Sequence, residues 1–180
     1  RHLRQGDSLV DSIAAANEAV LSAVSKQPDL QGMATTIVSS KFEGKNFELS
    51  WVGDSRAYLI NNNSIQQLSS DHNYANELFL QGDISKDEAA IHSGQHELTQ
   101  ALGQLSLDEI PILNGTLSSE AILLLCTDGL SGVLSDKKIL NTFKGSSSLE
   151  EISRSLLSQV LEAGAPDNVT FTLVAWKEPA

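Results

Sequence analysis

The chain has 180 residues, 41% of them hydrophobic, with 12 Lys and Arg against 23 Asp and Glu and a formal net charge of −11. That length and apolar content suit one compact domain with a real core. The excess negative charge would be repelled by phosphate backbones and anionic lipid, so neither nucleic acid nor a membrane is an expected partner. The longest purely apolar run, 121 to 126, falls far short of the roughly 20 residues that span a bilayer, and no basic-then-apolar leader is seen. A single cysteine, Cys126, cannot close an internal disulfide and suits a reducing cytoplasm.

In chain order, the first 26 residues predict a helix, with Leu9, Ile13, Val20 and Val24 at helical spacing and Pro28 as its stop. From 33 to 68 the pattern turns to short β-rich runs, MATTIVSS, FELSWVG, RAYLI and SIQQL, which read as an antiparallel meander. Corners fall at Gly44, at Gly53-Asp54-Ser55 and at Asn61-Asn62-Asn63. Two short helices are expected between 72 and 94, one over 74 to 81 and one opened by the capping box of Ser85 and Glu88. Strands resume at ELTQAL (97 to 102) and at AILLLCTDG (121 to 129), the second apolar enough to be buried on both faces. A short helix near 136 to 143 precedes a long one, opened by Ser148 and Glu151 and striped with Leu149, Ile152, Leu156, Val160 and Leu161. After Gly164, Pro166-Asp167-Asn168 turns the chain into the alternating strand VTFTLVAW. Consecutive strands with helices between them predict an α+β sandwich rather than a doubly wound parallel sheet.

Four segments put an aspartate at a strand end: Val52-Gly53-Asp54-Ser55-Arg56, Ser70-Asp71-His72, Cys126-Thr127-Asp128-Gly129 and Pro166-Asp167-Asn168. Each alone reads first as a turn or helix cap. Clustered, they would repel one another without a cation, and oxygen ligands without a His/Cys set point to a hard ion such as Mg²⁺ or Mn²⁺ rather than zinc. Arg56 reads as a local salt-bridge partner, Cys126 as an inert core residue, His92 and His96 as solvated, and His72 as structural and ordered by Asp71. No dinucleotide, Walker or nucleophile-elbow motif occurs.

Six ordered blocks, GMATTIV (32 to 38), WVGDSRAYLI (51 to 60), LSSDHNY (68 to 74), LTQALG (98 to 103), LLLCTDGL (123 to 130) and DNVTFTLV (167 to 174), resemble the signature blocks of the type 2C metal-dependent serine/threonine protein phosphatases, bacterial branch. The resemblance runs from about 16 to 174. It implies a four-layer αββα sandwich of two mainly antiparallel sheets flanked by helices, a single phosphatase-like domain over 1 to 180, and a flap at about 73 to 96. The flap is expected to be the most mobile part of the chain apart from the termini.

Carried over by position, the resemblance makes Asp128 and Asp167 ligands of two core Mn²⁺ or Mg²⁺ ions and Asp54 a ligand of a looser third. Asn168, Gly129 and Asp71 become their supporting neighbours. It implies hydrolysis by a metal-bridged water with no covalent enzyme intermediate, on a phosphorylated protein substrate, a Ser/Thr kinase or its target. The two blocks that open the family pattern, an Arg with an Asn-Glu-Asp strand and an Asp-Gly-Met-Gly-Gly-His turn, have no counterpart. The 180 residues are therefore expected to be part of a longer polypeptide, to hold only part of the metal shell, and to be at best a crippled enzyme alone. Gly132 stands where many members carry a further acid, and Ala34 where a glycine is common. A phosphatase-derived binding module that has lost catalysis is the alternative.

Overall fold

The computed structural model describes residues 8–144 and 148–178. Its strands are β1 (Ile37–Glu43), β2 (Asn46–Val52), β3 (Arg56–Ile60), β4 (Ile65–Gln67), β5 (Ile112–Thr116), β6 (Ile122–Cys126) and β7 (Phe171–Ala175). Its helices are α1 (Leu9–Lys26), α2 (Tyr74–Gln81), α3 (Lys86–Ala89), α4 (Asp128–Ser131), α5 (Asp136–Lys144) and α6 (Leu149–Glu162), with 3₁₀ turns at Pro28–Leu30 and Ser93–His96. The strands form two antiparallel sheets, ordered β1-β2-β5 and β4-β3-β6-β7, so the fold is α+β. Among the described residues, no helix is long and apolar enough to cross a membrane. The chain clusters into two compact units, residues 1–41, 48–54 and 70–113 forming the first and 42–47, 55–69 and 114–180 the second.

In the first unit, α1 begins at Ser8, whose extended backbone and side-chain acceptor for the Asp11 N–H (3.0 Å) make it an N-cap. The expected helical span before Leu9 lies outside the described residues. Ile13 packs with Val52 and Leu102, and Ala16, Val20, Ile37, Leu107 and Ile110 close around them. Asn17, on the same buried face, is only 6% exposed. Its Nδ2 donates to the Gln104 carbonyl (3.1 Å) and its Oδ1 accepts the Gly103 N–H (2.7 Å). Gly103 needs its φ of +105, and a Cβ there would stand 2.5 Å from the Met33 carbonyl oxygen. Asn17→Leu would strand both backbone groups, so a loss of about 2–3 kcal/mol is expected, read as a lower urea midpoint at unchanged m-value.

The segment 97 to 102 is not the expected strand. Its polar groups go to scattered partners: Glu97 O accepts from Tyr74 N, Thr99 N donates to His72 O, and Leu102 exchanges both backbone bonds with Thr35. Only isolated bridges, Asn73 to Leu98 and Thr35 to Leu102, result. Helices α2 and α3 fall where the spacing predicts. Asn73 caps α2 by accepting the Asn76 N–H (2.9 Å), and the Ser85 and Glu88 box closes in both directions. His92 is not simply solvated. Its Nδ1 accepts the Gly94 N–H (3.0 Å), and its ring lies 6.1 Å from that of Tyr74.

The expected meander is divided between the sheets: β1 and β2 form a hairpin through Gly44 (φ +58) in one, β3 and β4 a hairpin in the other. β1 starts at Ile37 rather than Met33, because Thr35 is paired with Leu102 instead. Strand β5 is unforeseen, since Asn114-Gly115 is a dipeptide of turns. Gly115 belongs in a strand because the Phe47 ring occupies its side-chain space, 2.4 Å from where a Cβ would stand.

In the second unit, β6 is central, with Arg56 opposite Cys126 in β3 and Cys126 opposite Phe171 in β7. Leu123 and Leu124, adjacent and so on opposite faces, are both fully buried, as the unbroken apolar run predicts. Tyr58, Ile60, Leu124 and Cys126 share a core with Leu130, Leu134, Ile139, Phe143, Ile152, Leu156 and Val160 from the helical segment after β6. Each such large aliphatic side chain contributes about 1.5–3 kcal/mol by leaving water. Cys126 is buried in this core, as expected. Arg56 Nη1 donates to the hydroxyl of Tyr58 (3.0 Å), and burial pushes that phenol well above its usual pKa. The sequence signals at both ends of α6 hold, with Ser148 accepting the Glu151 N–H (3.2 Å) and Gly164 in the left-handed region (φ +96).

Candidate metal centre

The second unit brings two of the sequence-predicted acids to one place. The pairing of β6 with β7 continues one rung past Cys126 and Phe171: Thr127 N donates to the Thr170 carbonyl (3.0 Å), and Thr170 N donates back to Thr127 Oγ1 (3.2 Å). Asp128 follows Thr127 and opens α4, so the strand predicted through Gly129 ends three residues early. Beyond the rung the two backbones touch. A Cβ on Gly129 would lie 2.1 Å from the Asn168 carbonyl oxygen and 3.2 Å from the Val169 Cα. Gly129 is thus required for close approach and not, as its place after an aspartate suggests, for an unusual turn. Asp128 and Asp167, each next to one member of this contact, leave the same end of the strand pair, and both are exposed. Asp167 Oδ1 accepts the N–H of Asn168 (2.6 Å), which orients the carboxylate by its own backbone.

Gly132, four residues after Asp128, donates its N–H to the Asp128 carbonyl (2.7 Å), and a Cβ at 132 would come within 2.8 Å of that oxygen. A side chain at 132 would therefore press on the last turn of α4, although its backbone is in the ordinary helical region.

The first unit holds the other two. Asp54 is its last residue after β2, partly buried, and follows Gly53, whose φ is +105. The methyl of Thr36 fills the space over Gly53, 2.4 Å from where a Cβ would stand. Asp71 is buried, and its carbonyl accepts from Asn76 Nδ2 (2.7 Å). His72 is structural as expected, but by a different route: its Nδ1 accepts the Gly53 N–H (3.2 Å). Burial lowers its pKa from the usual 6.5 against the pull of Asp71, Asp108 and Glu77. The folded state therefore binds its proton less readily than the unfolded chain. The stability this gives is present above pH 6.5 and is lost as pH falls through the folded-state value. An NMR titration is expected to place the His72 midpoint below the usual 6.5.

All four acids offer oxygen alone, the donor chemistry of Mn²⁺ and Mg²⁺. Asp128 and Asp167 fit two positions of such a shell. Among the described residues, no group of three or more His, Cys, Asp and Glu side chains is close enough to hold an ion by itself.

The family model described as Protein phosphatase 2C matches residues 3–174. The chain belongs to the protein phosphatase 2C family. Among curated relatives, the serine/threonine phosphatase stp of Listeria welshimeri is 32% identical over 158 residues, covering 88% of this chain. The chain spans 63% of the length of that relative. The crystal structure of the serine/threonine phosphatase Stp1 from Staphylococcus aureus superposes with a TM-score of 0.89 at 29% identity, over 99% of this chain and 71% of that one. A second phosphatase 2C neighbour, the catalytic domain of PstP in complex with two manganese ions, gives 0.80 at 30% identity, over 95% and 72%. The phosphatase 2C fold expected from the six sequence blocks is therefore the fold observed.

Proposed function

We propose that this chain acts as a metal-dependent protein serine/threonine phosphatase, with residues 1 to 180 forming one phosphatase-like domain whose flap lies at about 73 to 96. The observation that carries the reading is the adjoining backbones of Gly129 and Asn168, which put Asp128 and Asp167 at one end of β6 and β7 in a member of this family. The family match running through both compact units supports the single domain.

Asp128 and Asp167 would hold two Mn²⁺ or Mg²⁺ ions, and Asp54 would help hold a third, looser one. When bound, such ions lower the pKa of water and screen phosphate charge, which makes a hydroxide available near neutral pH. The chain's own part is positional. The double Thr127 and Thr170 rung fixes the two backbones, and the Asn168 N–H turns the Asp167 carboxylate. Exposure of both acids leaves room for a phosphoserine or phosphothreonine on a folded protein, a Ser/Thr kinase or its target. Leu80 and Ile91, 67% and 84% exposed on the flap, are apolar surface of the kind that suits a protein partner. A chain whose single cysteine cannot close an internal disulfide suits a cytoplasmic location, and signalling is the role a protein phosphatase there would serve.

Phosphate release from phosphoserine and phosphothreonine peptides by the protein at its native length tests this. It is expected to require Mn²⁺ or Mg²⁺ and to stop with chelator. Equal release with and without chelator, or none with either ion, would overturn it.

A further inference from the structure

The Gly53-Asp54 turn has little conformational preference of its own. A glycine at φ +105 enters that region freely and leaves it as freely, so something else must hold it. Both backbone polar groups of Gly53 go to one residue 19 positions away: the His72 N–H donates to the Gly53 carbonyl (3.0 Å), and the Gly53 N–H donates to His72 Nδ1 (3.2 Å). Accepting at Nδ1 puts the proton of the neutral ring on Nε2.

His72 is in turn held on every side. Thr99 N donates to its carbonyl (3.0 Å), and its neighbour Asn73 caps α2. On the other side, Asn76 of α2 binds the Asp71 carbonyl and the Ser70 hydroxyl. The indole of Trp51, in the strand that leads to Gly53, donates to the Ser70 carbonyl (2.8 Å). Segment 70 to 73 is thus clamped to α2 and to 97 to 99, and it presents His72 to the turn as a fixed bracket.

We propose that His72 is a positioning residue: by bracketing Gly53 it holds the turn that presents Asp54, and it ties that turn to helix α2. The part that concerns metal rests on the reading of Asp54 as a ligand; the bracket does not. His72 itself touches none of the candidate ligands' carboxylates through these bonds. What it supplies is an acceptor, and that separates positioning from filling space. Leucine replaces the volume of the ring without the acceptor. Asparagine replaces the acceptor, its Oδ1 standing where Nδ1 does, without the volume.

The test uses the ¹⁵N-labelled protein at its native length, with amide exchange at Gly53 and at Leu124 read by NMR and Mn²⁺ binding read by electron paramagnetic resonance of the free ion. In His72→Leu, exchange at Gly53 is expected to rise about tenfold with Leu124 unchanged, in line with loss of a partly buried hydrogen bond. The weakest Mn²⁺ is expected to be held several-fold less tightly. His72→Asn is expected to restore both, and His72→Ala supplies the same comparison if leucine is not accommodated. Unchanged exchange at Gly53 in the leucine and alanine proteins overturns the proposal, and so does an asparagine protein no better than leucine. If Asp54→Asn leaves Mn²⁺ binding unaltered while Gly53 responds as described, the bracket stands and the ligand reading of Asp54 falls.

Discussion

In the Asp167→Ala protein, Mn²⁺-dependent hydrolysis of p-nitrophenyl phosphate is expected to fall by about a hundredfold or more, and Asp128→Ala is expected to do the same. The size follows from what a bound cation supplies, several kcal/mol of charge stabilisation at the phosphoryl group, each 1.36 kcal/mol of which is tenfold in rate. Stability should barely respond. Both side chains are exposed, and the bond from the Asn168 N–H that Asp167 gives up, among the described residues, is an exposed one worth about 1–1.5 kcal/mol. Turnover measured against added Mn²⁺, with the melting temperature followed in parallel, decides it. Undiminished turnover in the Asp167→Ala protein would remove that residue from the site.

Gly129→Ala is expected to lose activity and stability together. The new methyl would sit 2.1 Å from the Asn168 carbonyl oxygen and 3.2 Å from the Val169 Cα, backbone atoms that cannot step aside as a long side chain could. Relief requires α4 to move away from the 167 to 169 segment, which pulls Asp128 from Asp167. Forcing a methyl into closed packing costs about 1–3 kcal/mol, and at about 2–4 °C per kcal/mol for a chain of this size the melting temperature should drop by about 2–12 °C. The two variants therefore separate chemistry from architecture: one loses turnover with its melting point nearly kept, the other loses both.

How much of this was legible in the sequence depended on how local the cause was. Helix α6 announces itself because cap, stripe and stop all lie close by in the chain, Ser148 and Glu151 opening it and Gly164 following it, whereas α1 is read from its stripe and Pro28 alone. The six blocks, ordered along nearly the whole chain, carried the family. Strand β5 was missed because its reason lies in Phe47, whose ring takes the place of a side chain at Gly115. The passage from β2 to β3 through Gly53-Asp54-Ser55 looks like a hairpin corner and is a change of sheet, a distinction set by long-range pairing. At the candidate site, aspartates at strand ends were visible one by one. That Asp128 and Asp167 adjoin required the β6 and β7 register, and the role of Gly129 required the backbone it touches.

That register also has a consequence for timing. Strands β6 and β7 are neighbours in the sheet, yet α4, α5 and α6 lie between them in the chain, so the rung from Thr127 to Thr170 closes a long loop. As the polypeptide emerges from the ribosome, Asp128 precedes Asp167 by the whole of α4, α5 and α6, and Asp167 arrives only just ahead of β7. No nascent or truncated form that stops short of β7 can bring these two acids together. The chemistry proposed for this end of the sheet is thereby withheld until synthesis has carried the chain past Phe171, a delay written into the order of the elements rather than into any regulator.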